Sequence, residues 1–224
     1  RPINLPLQKI SKCPFTTNEV KALLNDAEWI LFTSVNSVKY FVQNITKELI
    51  ELIHQKKIGA VGEKTKKQLH KEGFDVTFIP SQYTGKTLAT ELSYIVEKGT
   101  KFLFIRGSLA SDRVPSILTN NGNIVTFLTV YKTIPNEGIK NDLLHLLVNN
   151  KLDVITFLNP FSVEQFSYLI ENTVRISELQ NIKIACIGEV TALKAKEKGF
   201  ENIIVPSKFT IESLIQKIAD DVKK

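Results

Sequence analysis

Cysteine, histidine and methionine are scarce in this chain. Its 224 residues include two cysteines, three histidines and no methionine. Cys13 and Cys186 lie far apart, and His54, His70 and His145 fall on polar stretches without Cys or carboxylate partners at ligand spacing. The sequence therefore predicts no metal site. Cys186 lies within an apolar run, so we expect a buried thiol in a reducing compartment.

Arginine is also rare, although the chain is basic. The formal net charge is +6, and arginine occurs only at positions 1, 106, 113 and 175. Readout of duplex bases depends on arginine, and no basic stripe alternates with aromatic residues, so nucleic acid is the weaker interpretation of the charge. An anionic small substrate is the stronger interpretation, and a mildly basic solvated surface without any ligand stays open beside it.

Long apolar runs and glycine-rich phosphate motifs are missing as well. No stretch approaches the roughly 18 to 20 apolar residues that a membrane span needs, and the first residues form no signal-peptide pattern. Neither Gly-x-x-x-x-Gly-Lys nor Gly-x-Gly-x-x-Gly occurs, which argues against a phosphate- or nucleotide-handling enzyme. The composition, with 43% apolar and 23% charged residues, predicts a globular protein. Without a membrane span or a signal peptide, we expect it to be cytoplasmic and to interact with no membrane.

One stretch is present twice. Residues 57–65, Lys-Ile-Gly-Ala-Val-Gly-Glu-Lys-Thr, return as residues 183–191, Lys-Ile-Ala-Cys-Ile-Gly-Glu-Val-Thr. The same offset of 126 residues carries Gly73 onto Gly199. This spacing is far longer than the roughly 20 to 50 residues of solenoid repeats, so each copy is predicted to be a domain-sized module.

Each copy predicts an apolar strand, a tight turn at a glycine and an amphipathic helix. A second strand is predicted at residues 76–79 and again at residues 202–205. Strands that alternate with helices indicate an α/β fold with parallel sheets. Ligands of such sheets bind beyond the carboxyl ends of the strands, where Gly62 and Gly188 precede helix-start N–H groups. A tight turn without a ligand explains either glycine taken alone.

Each module also has a second strand-to-helix corner. Residues 29–32 and 153–157 are predicted strands, the first followed by a long helix to about residue 55 and the second by a helix through residue 166. Small polar side chains line both corners. Their hydroxyls either cap the helix, which is worth about 1 kcal/mol, or donate to an anion beside the helix dipole. Capping is the simpler interpretation for any single Ser or Thr.

Two extended segments are predicted to connect the modules. These linkers cover about residues 5–12 and 128–135 and are expected to pair as a ladder. One domain is then discontinuous, residues 1–10 together with residues 134–224, and the other is inserted as residues 11–130.

The symmetry of the two modules leads to one more expectation. The inserted domain contains a predicted strand and helix at residues 102–122 that have no counterpart ahead of Ile3. Since methionine is also absent, we expect that an N-terminal βα unit of the discontinuous domain lies outside this sequence.

Six segments, taken in order, resemble the uroporphyrinogen-III synthase family. The resemblance covers nearly the whole chain, and the segments together are specific although each alone is weak. They begin at Trp29, Ala60, Phe104, Val130, Val154 and Ile187 and read Trp-Ile-Leu-Phe-Thr-Ser-Val-Asn-Ser-Val, Ala-Val-Gly-Glu-Lys-Thr, Phe-Ile-Arg-Gly, Val-Tyr-Lys-Thr, Val-Ile-Thr-Phe and Ile-Gly-Glu-Val-Thr-Ala.

The resemblance implies a fold and an activity. The fold would be two similar α/β domains joined by a two-stranded linker, with the active site in the cleft between them. The protein would be a monomeric lyase of haem biosynthesis that works without a cofactor. It would cyclise the anionic linear tetrapyrrole hydroxymethylbilane. The product would be uroporphyrinogen III, formed with inversion of the last pyrrole ring through a spiro intermediate.

The resemblance also implies site residues. Tyr131 would be the general acid, although a tyrosine that packs in a β-linker explains this position equally well. Thr65 and Thr191 would be substrate donors, or only first-turn residues of their helices. The other predicted substrate-binding residues are Thr33, Ser34, Gly62, Tyr83, Thr84, Arg106, Asn159, Ser162 and Gly188.

The corner that follows the predicted strand at residues 153–157 departs from the family pattern. Where the family usually has Thr-Ser-Pro-Ser, this chain has Leu-Asn-Pro-Phe at residues 158–161. Asn159 could replace the missing donor, and Ser162 could take over the capping of the helix. A rival interpretation of the whole chain is a two-domain binding protein that closes on an anionic ligand without chemistry.

Overall fold

The structure, a computed structural model, describes residues 2–149 and 151–222. Contacts between Cα atoms divide the chain into two units. The inserted unit is Ile10–Thr133, and the discontinuous unit is Arg1–Lys9 with Ile134–Lys224. Each unit is an α/β body whose sheet contains parallel strand pairs, so an α/β fold with parallel-containing sheets is confirmed.

The inserted unit contains most of a five-stranded sheet, and the chain enters and leaves this unit within the strands β1 and β5. The strand order is β1-β5-β4-β2-β3. In chain order the elements are β1 (Gln8–Lys12), α1 (Thr17–Asp26), β2 (Trp29–Phe32), α2 (Val35–Val42), α3 (Lys47–His54), β3 (Lys57–Ala60), α4 (Glu63–Lys71), α5 (Gly85–Ile95), β4 (Lys101–Gly107), α6 (Arg113–Asn120) and β5 (Ile124–Pro135).

Helices cover both faces of this sheet because its strands are apolar on both sides. Side chains alternate between the two faces of a strand. In β2, Ile30 and Phe32 join one buried cluster with α1, α2, α3 and α4. Trp29 and Leu31 join the other cluster, with α5 and α6. Strands buried on both faces read as continuous apolar runs, which is why four apolar residues in a row predicted this strand.

The discontinuous unit holds a three-stranded parallel sheet of order β6-β7-β8. Its core centres on three aromatic rings, with Phe157 5.5 Å from Phe166 and 5.9 Å from Phe200 between ring centroids. The elements are α7 (Lys140–Val148), β6 (Val154–Phe157), α8 (Pro160–Ile170), β7 (Lys183–Cys186), α9 (Glu189–Glu197), β8 (Ile203–Ile204) and α10 (Ile211–Val222), with 3-10 turns at Glu137–Ile139 and Ile176–Leu179.

The predicted long helix after β2 is wrong, because the structure has two helices there. The helix α2 ends at Val42, and α3 begins only at Lys47. Thr46, the residue before α3, is extended with φ −92° and ψ 167°. Its β-branched side chain and that of Ile45 favour extended backbone over helix, so the apolar pattern continues while the helix does not.

The predicted strand at residues 76–79 is also wrong. Only Phe78 forms an isolated parallel bridge, to Gly59. The Ile58 N–H donates to the side-chain oxygen of Thr77 at 3.1 Å instead of to a backbone carbonyl. A side chain that takes the place of a ladder acceptor interrupts regular pairing. The equivalent strand of the other unit, β8, forms as predicted but spans two residues.

No helix within residues 2–149 and 151–222 is both long enough and apolar enough to cross a membrane.

Candidate active site

The carboxyl ends of the strands gather the predicted site residues of the inserted unit at one edge of its sheet. In the parallel register, Phe32 lies opposite Ala60 on one side and opposite Ile105 on the other. The segments that follow β2 and β3 and the last residues of β4 therefore emerge side by side. Ligands of parallel sheets bind at this edge. This edge is the candidate site of the inserted unit.

At the first corner, Ser34 has the capping role that its position predicts. Its side-chain oxygen accepts the Ser37 N–H at 3.0 Å and so caps α2. The same oxygen lies 3.4 Å from the phenol oxygen of Tyr131. Thr33, between β2 and this cap, is half-buried. The first corner therefore brings one predicted substrate donor next to the predicted general acid.

The position of Tyr131 depends on a β-bulge. The register between β4 and β5 shifts between Arg106 and Gly107, so that Gly107 lies opposite Tyr131. An extra residue of this kind turns the following side chain to a new direction. The Tyr131 ring lies directly over Gly107, since a Cβ added there would come within 2.6 Å of the phenol oxygen. The Tyr131 ring also lies near Tyr40, with 5.4 Å between the two ring centroids.

At the corner between β3 and α4, Gly62 is the residue before the helix, and Thr65 lies in the first helical turn. Thr65 is buried, with 3% of its surface exposed. Tyr83 packs on the glycine, and a Cβ added at Gly62 would lie 2.7 Å from the Cγ of Tyr83. The glycine is therefore required by the close approach of the neighbouring ring.

Two predicted residues of this edge are occupied by internal contacts. The Arg106 guanidinium donates to Asp112 Oδ1 at 2.8 Å and to the Ala110 carbonyl oxygen at 3.0 Å. It also lies 5.1 Å from the ring centroid of Phe127. Thr84 caps α5, because its side-chain oxygen accepts a backbone N–H at 3.1 Å. These contacts explain both residues without a ligand, and their part in binding stays a prediction.

The discontinuous unit repeats the glycine turn. Gly188 is the residue before α9, and Thr191, 3% exposed, occupies the first turn. Phe157 and Cys186 are partners in the register of β6 and β7, so this turn and the corner after β6 also lie at one edge of their sheet.

At the corner after β6, Asn159 caps α8 and Ser162 does not. The Asn159 side-chain oxygen accepts the Ser162 N–H at 2.8 Å. The suggestion that Ser162 takes over capping is therefore wrong, because its own hydroxyl donates to the Asn159 carbonyl oxygen at 2.6 Å. Both residues help to line a cavity of about 360 Å³, together with Gln8, which donates to Asn159 at 3.3 Å.

Sequence reasoning missed three residues of these edges. Gly107 and Tyr40 hold the Tyr131 ring, and Phe209 packs over Gly188 as Tyr83 packs over Gly62. The internal repeat carries a signal for the last of these, since the offset of 126 residues places Tyr83 on Phe209. The role of Gly107 depends on a strand register that no local pattern encodes.

The predicted burial of Cys186 is confirmed, and burial makes this thiol a poor nucleophile. Burial raises the pKa of the Cys186 thiol from 9.0 to about 11. The nucleophilic form of cysteine is the thiolate, which is scarce at neutral pH under these conditions. Cys186 is 0% exposed.

We expect iodoacetamide at pH 8 to leave Cys186 unmodified in the native protein and to label it after unfolding, as read by mass spectrometry. In the unfolded chain the thiol loses its proton near pH 9, but in the folded chain only near pH 11. The folded state therefore holds more protons in this window, and its stability falls as the pH rises from 9 to 11. A Cys186→Ala variant should lack this part of the pH dependence. Rapid labelling of native Cys186 would contradict the burial.

Fold and turns together define the class: an α/β protein of two units, each of which contains parallel strand pairs and presents a glycine turn before a helix at the carboxyl ends of its strands. The likeness to solved structures supports this class. Uroporphyrinogen-III synthetase from Helicobacter pylori matches with a TM-score of 0.69 at 19% identity, over 97% of this chain and 92% of that one.

The family model described as uroporphyrinogen-III synthase HemD matches residues 1–216. The chain belongs to this family. It is 29% identical to a uroporphyrinogen-III synthase of Chlorobaculum parvum over 203 residues, which are 87% of this chain and 79% of that protein. It is 28% identical to the porphyrin biosynthesis protein HemD of Ruminiclostridium josui over 223 residues, 98% of this chain and 43% of that protein. Family membership favours an enzyme of porphyrin biosynthesis over a binding protein without chemistry.

Proposed function

We propose that this chain is a cofactor-independent lyase that cyclises hydroxymethylbilane to uroporphyrinogen III. The observation that carries the proposal is the match of the family model to residues 1–216. The net charge of +6 suits a substrate with many acetate and propionate carboxylates. We further propose that the inserted and discontinuous units act as the two domains of the family, connected through β1 and β5, and that both contribute carboxyl-end turns to substrate binding.

Carboxylates of the substrate would be bound by many weak contacts. A helix N-terminus favours an anion by about 0.3 to 1 kcal/mol when exposed. Gly62 and Gly188 each precede such a terminus, and Thr65 and Thr191 place a hydroxyl in the first turn behind it. Several such contacts together would contribute to the binding of a polyanion without a single strong motif.

The chemistry requires one proton to move at the start and one at the end. A pyrrole nitrogen expels the terminal hydroxyl, which leaves as water after it accepts a proton from an acid. The substituted carbon of the last ring attacks the resulting electrophile and forms the spiro intermediate, which reopens and closes at the other carbon. That carbon then releases a proton, which restores the acid.

Tyr131 is the proposed acid. Its phenol lies at the candidate edge with its ring fixed between Gly107 and Tyr40. A phenol is a weak acid, so position matters more than strength. Closure without inversion competes in solution, and the main task of the protein is therefore to hold the chain in the conformation that leads to the spiro intermediate.

The test is to incubate the protein with freshly prepared hydroxymethylbilane, oxidise the products and separate the type I and type III isomers. We expect type III to predominate, while a no-protein control gives type I. Type III at or below the control level would refute the enzymatic proposal. Saturable binding of the tetrapyrrole without any conversion would support the rival binding protein instead.

A further inference from the structure

Two exposed aromatic rings occupy equivalent places in the two units. Tyr83 and Phe209 are 126 residues apart, within Ile-Pro-Ser-Gln-Tyr-Thr at residues 79–84 and Val-Pro-Ser-Lys-Phe-Thr at residues 205–210. Tyr83 is 61% exposed and Phe209 is 62% exposed. Within each unit, the ring stands at the glycine turn of the candidate edge.

In each unit, a glycine turn and a helix cap fix the position of the ring. A Cβ on Gly62 would lie 2.7 Å from Tyr83, and one on Gly188 would lie 3.3 Å from Phe209. Each aromatic residue is followed by a threonine that caps the next helix, Thr84 for α5 and Thr210 for α10. The cap fixes the backbone that carries the ring, and the glycine lets the ring approach the turn closely.

Neither Tyr83 nor Phe209 buries much apolar area in the folded protein, since most of each residue is exposed to water. Burial of apolar area is the main stabilisation that an aromatic side chain offers to a fold. A ring kept at about 60% exposure in both copies of the repeat contributes little to either core. Its free surface is available to a flat ligand.

We propose that Tyr83 and Phe209 are stacking platforms, each of which receives one pyrrole ring of the tetrapyrrole. This inference rests on the proposed function. A pyrrole carries its carboxylates on the ring edge, so a ring stacked on the platform brings them towards the adjoining helix start. At Gly62 that region includes exposed Lys64, and at Gly188 the platform itself is flanked by exposed Lys208.

Stacking would fix the orientation of a pyrrole ring, which contacts to its carboxylates do not. Acetate and propionate arms rotate freely, and anion contacts alone therefore leave the planes of the pyrroles undetermined. A face-to-face contact fixes the plane of a ring, and an offset aromatic pair contributes about 0.5 to 1.5 kcal/mol beyond area burial. Two platforms would restrict two rings of a flexible chain before closure.

The experiment compares steady-state kinetics and isomer ratios for wild type, Tyr83→Phe, Tyr83→Leu, Phe209→Leu and the double leucine variant. Leucine keeps an apolar contact with the glycine but has no flat face. We expect KM to rise about 2- to 10-fold for each leucine variant, from the stacking energy above, and the product of both factors in the double variant. Tyr83→Phe should stay within about twofold of wild type, because the ring remains.

Tyr94→Leu is the matched control, an 83% exposed tyrosine of the same unit on α5. Its KM should not change. Equal KM values for the leucine variants and wild type would overturn the inference while the proposed function stands. Higher KM values accompanied by a lower thermal midpoint would also overturn it, since a structural role then explains them. A wild-type protein that forms no type III isomer would overturn the proposed function and this inference with it.

Discussion

The Tyr131→Phe variant is expected to lose about 10²-fold or more of the rate of type III formation. A positioned general acid contributes about 10²- to 10⁴-fold, and phenylalanine removes only the phenol oxygen. The ring contacts with Gly107 and Tyr40 survive the change. A loss in the single-turnover rate constant with an unchanged thermal midpoint would therefore identify proton transfer and not packing. The measurement is single-turnover conversion of fresh hydroxymethylbilane.

The design separates the two interpretations of this tyrosine. If Tyr131 only packs beside its neighbours, phenylalanine should keep the activity within about threefold of wild type, and the general-acid proposal would be wrong. Tyr40→Phe serves as the matched control, because it removes a hydroxyl from the neighbouring ring, 5.4 Å away between centroids. We expect that variant to retain wild-type kinetics.

The Phe157→Ala variant is expected to destabilise the discontinuous unit by about 3 to 5 kcal/mol, the usual cost of truncating a buried phenylalanine. Phe157 is 0% exposed and contacts the rings of Phe166 and Phe200. Whole proteins are stable by only about 5 to 15 kcal/mol, so this loss is a large share of the total. Urea unfolding followed by far-UV circular dichroism should show an earlier transition.

Phe209→Ala is the control for this change, because it truncates the same side chain in the same unit at 62% exposure. We expect its unfolding midpoint to lie close to that of wild type. Trp29 is the single tryptophan and belongs to β2, so its fluorescence reports on the inserted unit in the same titration. An unchanged dichroism transition in Phe157→Ala would contradict the packing of this core.

Much of the candidate site could be predicted from local sequence. The glycine turns before α4 and α9, the buried strand β2 and the cap at Ser34 each depend on residues within a few positions of one another. Helix caps and strand periodicity are local effects of hydrogen bonding and side-chain direction. The internal repeat strengthens these predictions, because the same pattern occurs in two copies of different sequence.

Other local patterns misled because a nearby side chain competed with the backbone. The Thr77 hydroxyl accepts a hydrogen bond that a strand would give to a carbonyl, and the extended Thr46 separates α2 from α3. Asn159, an exposed amide, turned out to be the cap that its neighbour Ser162 was expected to supply. Asn ranks with Ser as a helix cap, so composition alone did not decide between them.

By itself, the sequence determined the duplication, the parallel α/β class and the family, because these depend on periodicity and on motifs read in order along the chain. The tertiary structure alone decided that Gly107 lies beneath Tyr131, that Arg106 turns to Asp112, and that Tyr83 and Phe209 stand exposed over their glycines. These contacts join residues up to 24 positions apart through strand register, a bulge and ring packing. Such contacts arise only when the sheets and their helices are assembled, since no local hydrogen-bond pattern specifies them.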